Sequence, residues 1–148
     1  MQQIDVSALA AHLALAVPQL VAVGHARDLA SASRETIRFP SAWIVLLAED
    51  ASEIRYASDD AVEQQVTGRV AVILAVRDIA DRAGARAGED LKTMRSAVLL
   101  ALGRHVPAGA DQAFRFSRGQ LLSGVDSRGG LFWQDEFTLR FDRRIQIT

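Results

Sequence analysis

Residues 64–78, "QQVTGRVAVILAVRD", decide how the rest of the chain is read. Val66, Val70, Val72, Leu74 and Val76 fall on one side of an extended backbone, and Gln65, Thr67, Arg69 and Arg77 fall on the other. Ala71, Ile73 and Ala75 join the second side, so mid-segment the strand expects cover on both faces. A strand of roughly a dozen residues is long for a small domain, where five or six is usual. Everything else has to be placed around it.

Upstream, "SAWIVLLAED" (41–50) follows Pro40 and reads as a compact buried strand, and "QLVAVGHA" (19–26) as a short one. "RDLASASRE" (27–35) reads as a brief helical turn or loop. The N-terminal "MQQIDVSALAAHLALAV" lacks a basic start, and Asp5 and His12 interrupt it, so it reads as an amphipathic helix and not a signal peptide. Asp5 or Ser7 can cap that helix, Leu9, Leu13 and Val17 form its apolar stripe, and Pro18 stops it. No apolar run approaches the roughly 18–20 residues that span a membrane, so a soluble protein is expected.

Between the second and third strands lies "EDASEIRYASDDAVEQQ" (49–65), with six acids and one arginine from Glu49 to Glu63. It shows no sustained period and is expected to be an exposed loop, with room for a short helix. Downstream of the long strand, "GEDLKTMRSAVLLALGRHVP" (88–107) predicts the clearest helix. Leu91, Met94, Val98, Leu99 and Leu102 follow helical spacing, Glu89 and Asp90 occupy the first turn, and Arg104 and His105 the last. The C-terminal third alternates: "AFRFSRGQLLSG" (113–124), a turn at "VDSRGG", then "LFWQDEFTLRFDRRIQI" with Phe137, Leu139 and Phe141 facing one way. The order α, β, β, long β, α, β, β defines an α+β fold. Its mostly antiparallel sheet has one long strand and is covered by an N-terminal helix and one central amphipathic helix. At 148 residues a single domain, 1–148, is expected.

The stretch "AVRDIADRAGARAGEDLKTM" (75–94) carries two glycines between a strand and a helix, the setting of a phosphate loop. The chemistry argues otherwise. Gly84 and Gly88 are four apart, the Walker spacing is absent, and Glu89-Asp90 stand where Lys-Ser/Thr would. Carboxylates at a helix start repel the anion that site would hold. His12, His25 and His105 lack metal-ligand spacing, and cysteine is absent, which removes thiolate ligands and a cysteine nucleophile. There is no G-x-S-x-G elbow, and the acidic neighbours Asp59-Asp60 and Asp135-Glu136 read as solvated. No catalytic residue, cofactor or metal is expected, and Arg143-Arg144 fall short of a nucleic-acid stripe.

Net charge is −1, unevenly placed. Residues 1–74 hold five arginines against nine acids, net −4, and residues 75–148 hold twelve basic residues against nine acids, net +3. That asymmetry suits head-to-tail self-association, and equally two solvated faces of mixed charge.

Taken in order, "FPSAWIVLLAEDA", "QQVTGRVAVILAVRD" with its glycine loop, "DLKTMRSAVLLALG" and "GGLFWQDEFTLRFDRRI" resemble the phage tail terminator proteins of long-tailed phages and prophages. The likeness covers about residues 18–146 and is one of order and spacing. It implies a structural virion protein without turnover, made in the host cytoplasm. Such a protein forms a ring, usually a hexamer, on the last ring of tail tube protein, stops polymerisation, and offers a docking surface to a head-completion or neck protein. The family supplies no catalytic residues to carry over. Two segments are then expected to meet a neighbouring subunit or line the channel. One is the loop 78–90 with Arg82, Arg86, Glu89 and Asp90; the other is the acidic loop with Glu49, Asp50, Asp59 and Asp60. The glycines would let the first loop order against a partner. A different head–tail joining protein, or a small dimeric ligand-binding or regulatory domain, remains open as an alternative.

Overall fold

A computed structural model describes residues 1–25, 37–77, 85–123 and 130–147. Among these residues the elements run α1 (Val6–Ala16), β1 (Ala22–His25), β2 (Ser41–Ala57), β3 (Ala61–Arg77), α2 (Ala85–Gly103), β4 (Arg115–Ser123) and β5 (Gly130–Gln146). This is the expected order, in an α+β architecture. The five strands form one sheet in the order β1-β2-β3-β5-β4; only β1 and β2 run parallel. The segment 27–35 and the turn 124–129 lie outside the described residues.

The long strand is the axis of the sheet. β3 spans 17 residues and pairs along its whole length with β5, from Ala61 opposite Gln146 to Arg77 opposite Gly130. Val66, Val70, Val72, Leu74 and Val76 enter the main core together with Phe137, Leu139 and Phe141 of β5. Both helices cover that face. α1 starts where the Asp5 carboxylate accepts a hydrogen bond from the Ala8 amide at 3.0 Å, and Leu9 and Leu13 point inward, with Val17 buried just beyond its end. From α2, Leu91, Met94, Val98 and Leu102 reach the same core. On the opposite face Trp43, Ile73 and Ala75 form a smaller cluster, packed by Ile37, Phe39, Val45 and Phe132. The two-sided burial expected of mid-β3 therefore comes from two cores of unequal size.

Two expectations are corrected. The acidic segment 49–65 is not a loop: β2 continues through it to Ala57, turns at Ser58–Asp60, and returns as β3. The hydroxyl of Ser58 accepts from the amides of Asp60 and Ala61 at 3.2 and 3.1 Å, which holds the turn tight. Backbone pairing, supported by arginine–carboxylate contacts, keeps this segment extended without an apolar face to bury. The central helix also begins earlier than the glycine pattern implies. Gly88 lies inside α2, where a Cβ would meet nothing within 4 Å, so no special backbone geometry demands glycine there. Glu89 and Asp90 consequently sit in the second helical turn, not the first.

Candidate functional site: the sheet arm and its open edges

Three strands run past the helical layer. The outer part of β2, the first half of β3 and the end of β5 form an arm in which residues 50–60 are all exposed. Charge pairs brace it across the middle strand. Arg55 Nη1 on β2 lies 3.1 Å from Asp142 Oδ1 on β5, and Arg143 Nη2 donates to Glu49 Oε2 at 2.7 Å. Residues 1–5 lie along the root of the arm. Arg143 Nε donates to the Gln2 carbonyl at 2.6 Å, the Gln2 amide donates to the Arg144 carbonyl, and Ile4 packs directly over Gly68, where any Cβ would collide with it. Gly68 thus leaves room for the tip of the Ile4 side chain, which a Cβ would have to push aside.

The sequence-expected residues separate into distinct places. Glu49 is half-buried and neutralised by Arg143, so it is a brace and not a free loop acid. Asp50 is exposed on β2, and Asp59 and Asp60 are exposed at the arm tip. Glu89 and Asp90 are exposed on α2, whose backbone approaches α1, β3, β4 and β5 but not β2 among the described residues, so the two acidic groups stand on different elements. Arg86 belongs to α2 by its backbone, and Arg82 lies outside the described residues.

Asp135 and Glu136 differ most from expectation. They do face opposite sides of β5, but both are buried. Asp135 accepts from Arg95 Nη2 at 2.8 Å, from Arg95 Nε at 3.0 Å, and from the Trp133 indole N–H at 2.9 Å. The Arg95 guanidinium also stacks over the Trp133 ring. Directly across on β4 stands Gly119, whose Cβ would sit 2.6 Å from Asp135 Oδ1. This ion pair pins α2 to β5, next to the edge strand β4. Glu136 instead forms an ion pair with Arg118 Nε at 2.7 Å on the other face. His12 and His105, which nothing in the sequence pattern brings together, stack with ring centroids 3.8 Å apart and join α1 to the segment just after α2; His105 lies beyond the helix end at Gly103 and not in its last turn. Burial, and next the neighbouring His12 ring, lower the His105 pKa below its ordinary 6.5.

Both borders of the sheet have open lengths among the described residues. β1 pairs with β2 only over Ser41–Ile44, leaving β2 from Val45 outward as an edge. β4 is the other edge, and it carries Phe116, Leu121 and Leu122 with large exposed areas, plus exposed Arg115 and Arg118. Composition and alternation gave β4 as a strand, but its position as a border depends on β5 crossing between it and β3, a long-range pairing with no local signal.

The described residues contain no cluster of three side chains placed to hold a metal, and no helix long and apolar enough to cross a membrane. What the described residues display is exposed sheet border, an exposed arm and a body braced by ion pairs. The chain belongs to the phage tail terminator protein family, whose model matches residues 1–148, the whole chain. It is therefore a structural phage tail protein and a component of the virion. No curated protein matches it in sequence.

Proposed function

We propose that the chain works as one domain which assembles into a ring, a hexamer, on the head-proximal end of the tail tube. There it stops addition of tube protein and presents a docking surface to a head-completion or neck protein. The observation that carries this reading is membership of the terminator family along the entire chain. The fold supports it: a stiff sheet with a projecting, acid-tipped arm offers one surface to a neighbour and another to the tube or neck. In this reading Asp59 and Asp60 at the arm tip, and Glu89 and Asp90 with Arg82 and Arg86 around the start of α2, face a neighbouring subunit or the channel.

The test is growth of tubes from purified cognate tube protein with and without this protein, followed by electron microscopy. Tubes that stop elongating and carry a ring at one end are the expected result. Unchanged lengths with bare ends would overturn the proposal.

A further inference from the structure

The two borders of the sheet that are open among the described residues differ in a systematic way. On β2 the edge carries exposed Asp50 and Glu53 against the single Arg55, Glu49 being taken up by Arg143, and leads into Asp59 and Asp60 at the turn. On β4 it carries Arg115 and Arg118 and no acid. Pairing registers also assign each side chain to a face, because directly opposed residues in an antiparallel ladder share one. Leu46 lies opposite Val70 and Ile54 opposite Gln64, which puts both on the helix-covered face of the sheet. Phe116 lies opposite Phe137 and Leu121 opposite Trp133, which puts them on that same face. Their exposures are 38% and 57% for Leu46 and Ile54, and 48% and 54% for Phe116 and Leu121. On the reverse face Asp50 lies opposite Thr67, while Arg115 and Arg118 lie opposite Thr138 and Glu136.

We infer that the β2 edge of one copy and the β4 edge of the next are the two halves of a head-to-tail contact, which continues the sheet from subunit to subunit. The inference rests on the ring reading above and specifies how that ring closes. Extending a sheet keeps its faces in register, so apolar Leu46 and Ile54 meet apolar Phe116 and Leu121 on one face. Acidic Asp50 meets Arg115 on the other, beside Arg118, whose charge Glu136 already pairs. The same distribution disfavours the symmetric alternatives. Two β2 edges would set acids against acids, and two β4 edges would set arginines against arginines. Irregularities in register between Leu46 and Ala48, between Ala51 and Tyr56, and between Phe116 and Arg118 interrupt both edges. Bulges of this kind hold backbone pairing to short runs, leave specificity to the side chains, and guard against indiscriminate edge aggregation. A contact between two different patches related by rotation closes a ring, which a self-complementary contact does not do.

The chain has no cysteine, so single cysteines report cleanly. Asp50→Cys and Arg115→Cys are made separately, mixed under conditions where the protein is a ring, and treated with a short bis-maleimide. Neighbouring strands lie about 5 Å apart and diagonal neighbours about 7–8 Å, so such a linker tolerates a small shift in register. The mixture is expected to give a cross-linked pair that neither variant gives alone, and a chain with both cysteines a ladder ending at the ring. Either variant cross-linking to itself, or rings present without any mixed cross-link, would overturn the inference while leaving the ring intact. If no ring forms even on tube ends, the ring reading and this inference fail together. As a second readout, Asp50→Arg or Arg115→Asp is expected to weaken self-association by about tenfold, with the double variant restoring it. Both residues are exposed, and unchanged circular dichroism checks that each variant folds.

Discussion

Removing the Arg95 guanidinium gives the sharpest test of how the body is held together. Asp135 is fully buried, and three of its short contacts come from two side chains: Arg95 through Nη2 and Nε, and Trp133 through its indole. Arg95→Met keeps most of the aliphatic packing of α2 and leaves the carboxylate with the indole alone of these two. Stripping one partner from a buried ion pair costs about 3–5 kcal/mol. Because the Arg95 side chain is 28% exposed, water can partly replace it, which argues for the lower end, about 3 kcal/mol. For a chain near this size that corresponds to a fall in melting temperature of roughly 6–12 °C. Guanidinium unfolding followed by tryptophan fluorescence, at a protein concentration where association is constant, measures it. Arg95→Leu combined with Asp135→Leu is expected to be less destabilising than the sum of the single changes, since the pair can be replaced by apolar packing more cheaply than it can be broken. A loss below about 1 kcal/mol for Arg95→Met, or simple additivity, would refute the claim that this pair fastens α2 to the sheet.

Three further outcomes follow from the same geometry. Gly119→Ala places a Cβ 2.6 Å from Asp135 Oδ1 and 3.0 Å from both Arg95 Nη2 and the Trp133 indole nitrogen; a loss of about 1–3 kcal/mol in denaturant unfolding is expected. Gly68→Ala collides with the Ile4 side chain, so it should lower stability, and adding Ile4→Ala should recover part of the loss because the clash partner is gone. Thermal unfolding as a function of pH reads the histidine stack. His105 has its pKa lowered in the fold, so the unfolded chain takes up the proton first as pH falls. Its contribution is complete above about 6.5 and is lost as pH drops through the folded value; His105→Gln should flatten that slope.

How far the sequence carried the architecture depends on where each signal resides. The apolar alternation of Val66–Val76, the helical spacing of Leu91–Leu102 and the capping carboxylate of Asp5 are local, and the structure realises all three. The 49–65 segment was illegible for a physical reason. Its strand character comes from β3 and β5 and from arginines 87 and 94 residues away in sequence from their partners, not from any periodicity of its own. The same holds for Asp135 and Glu136, whose adjacency looks solvated until Arg95 and Arg118 arrive from other elements. Gly88 misled in the opposite sense: it is an ordinary helix position here, tolerated at a small cost in helix propensity. Of the expected contact residues, Asp50, Asp59 and Asp60 stand exposed on or beside the arm, whereas the β4 arginines and aromatic edge emerge only from the strand order.

The most direct test of the account is the mass of the purified protein across concentration, alone and with cognate tube protein. A closed ring of about six copies, formed in solution or only on tube ends, is the predicted result. A stable dimer whose mass is indifferent to tube protein would contradict it.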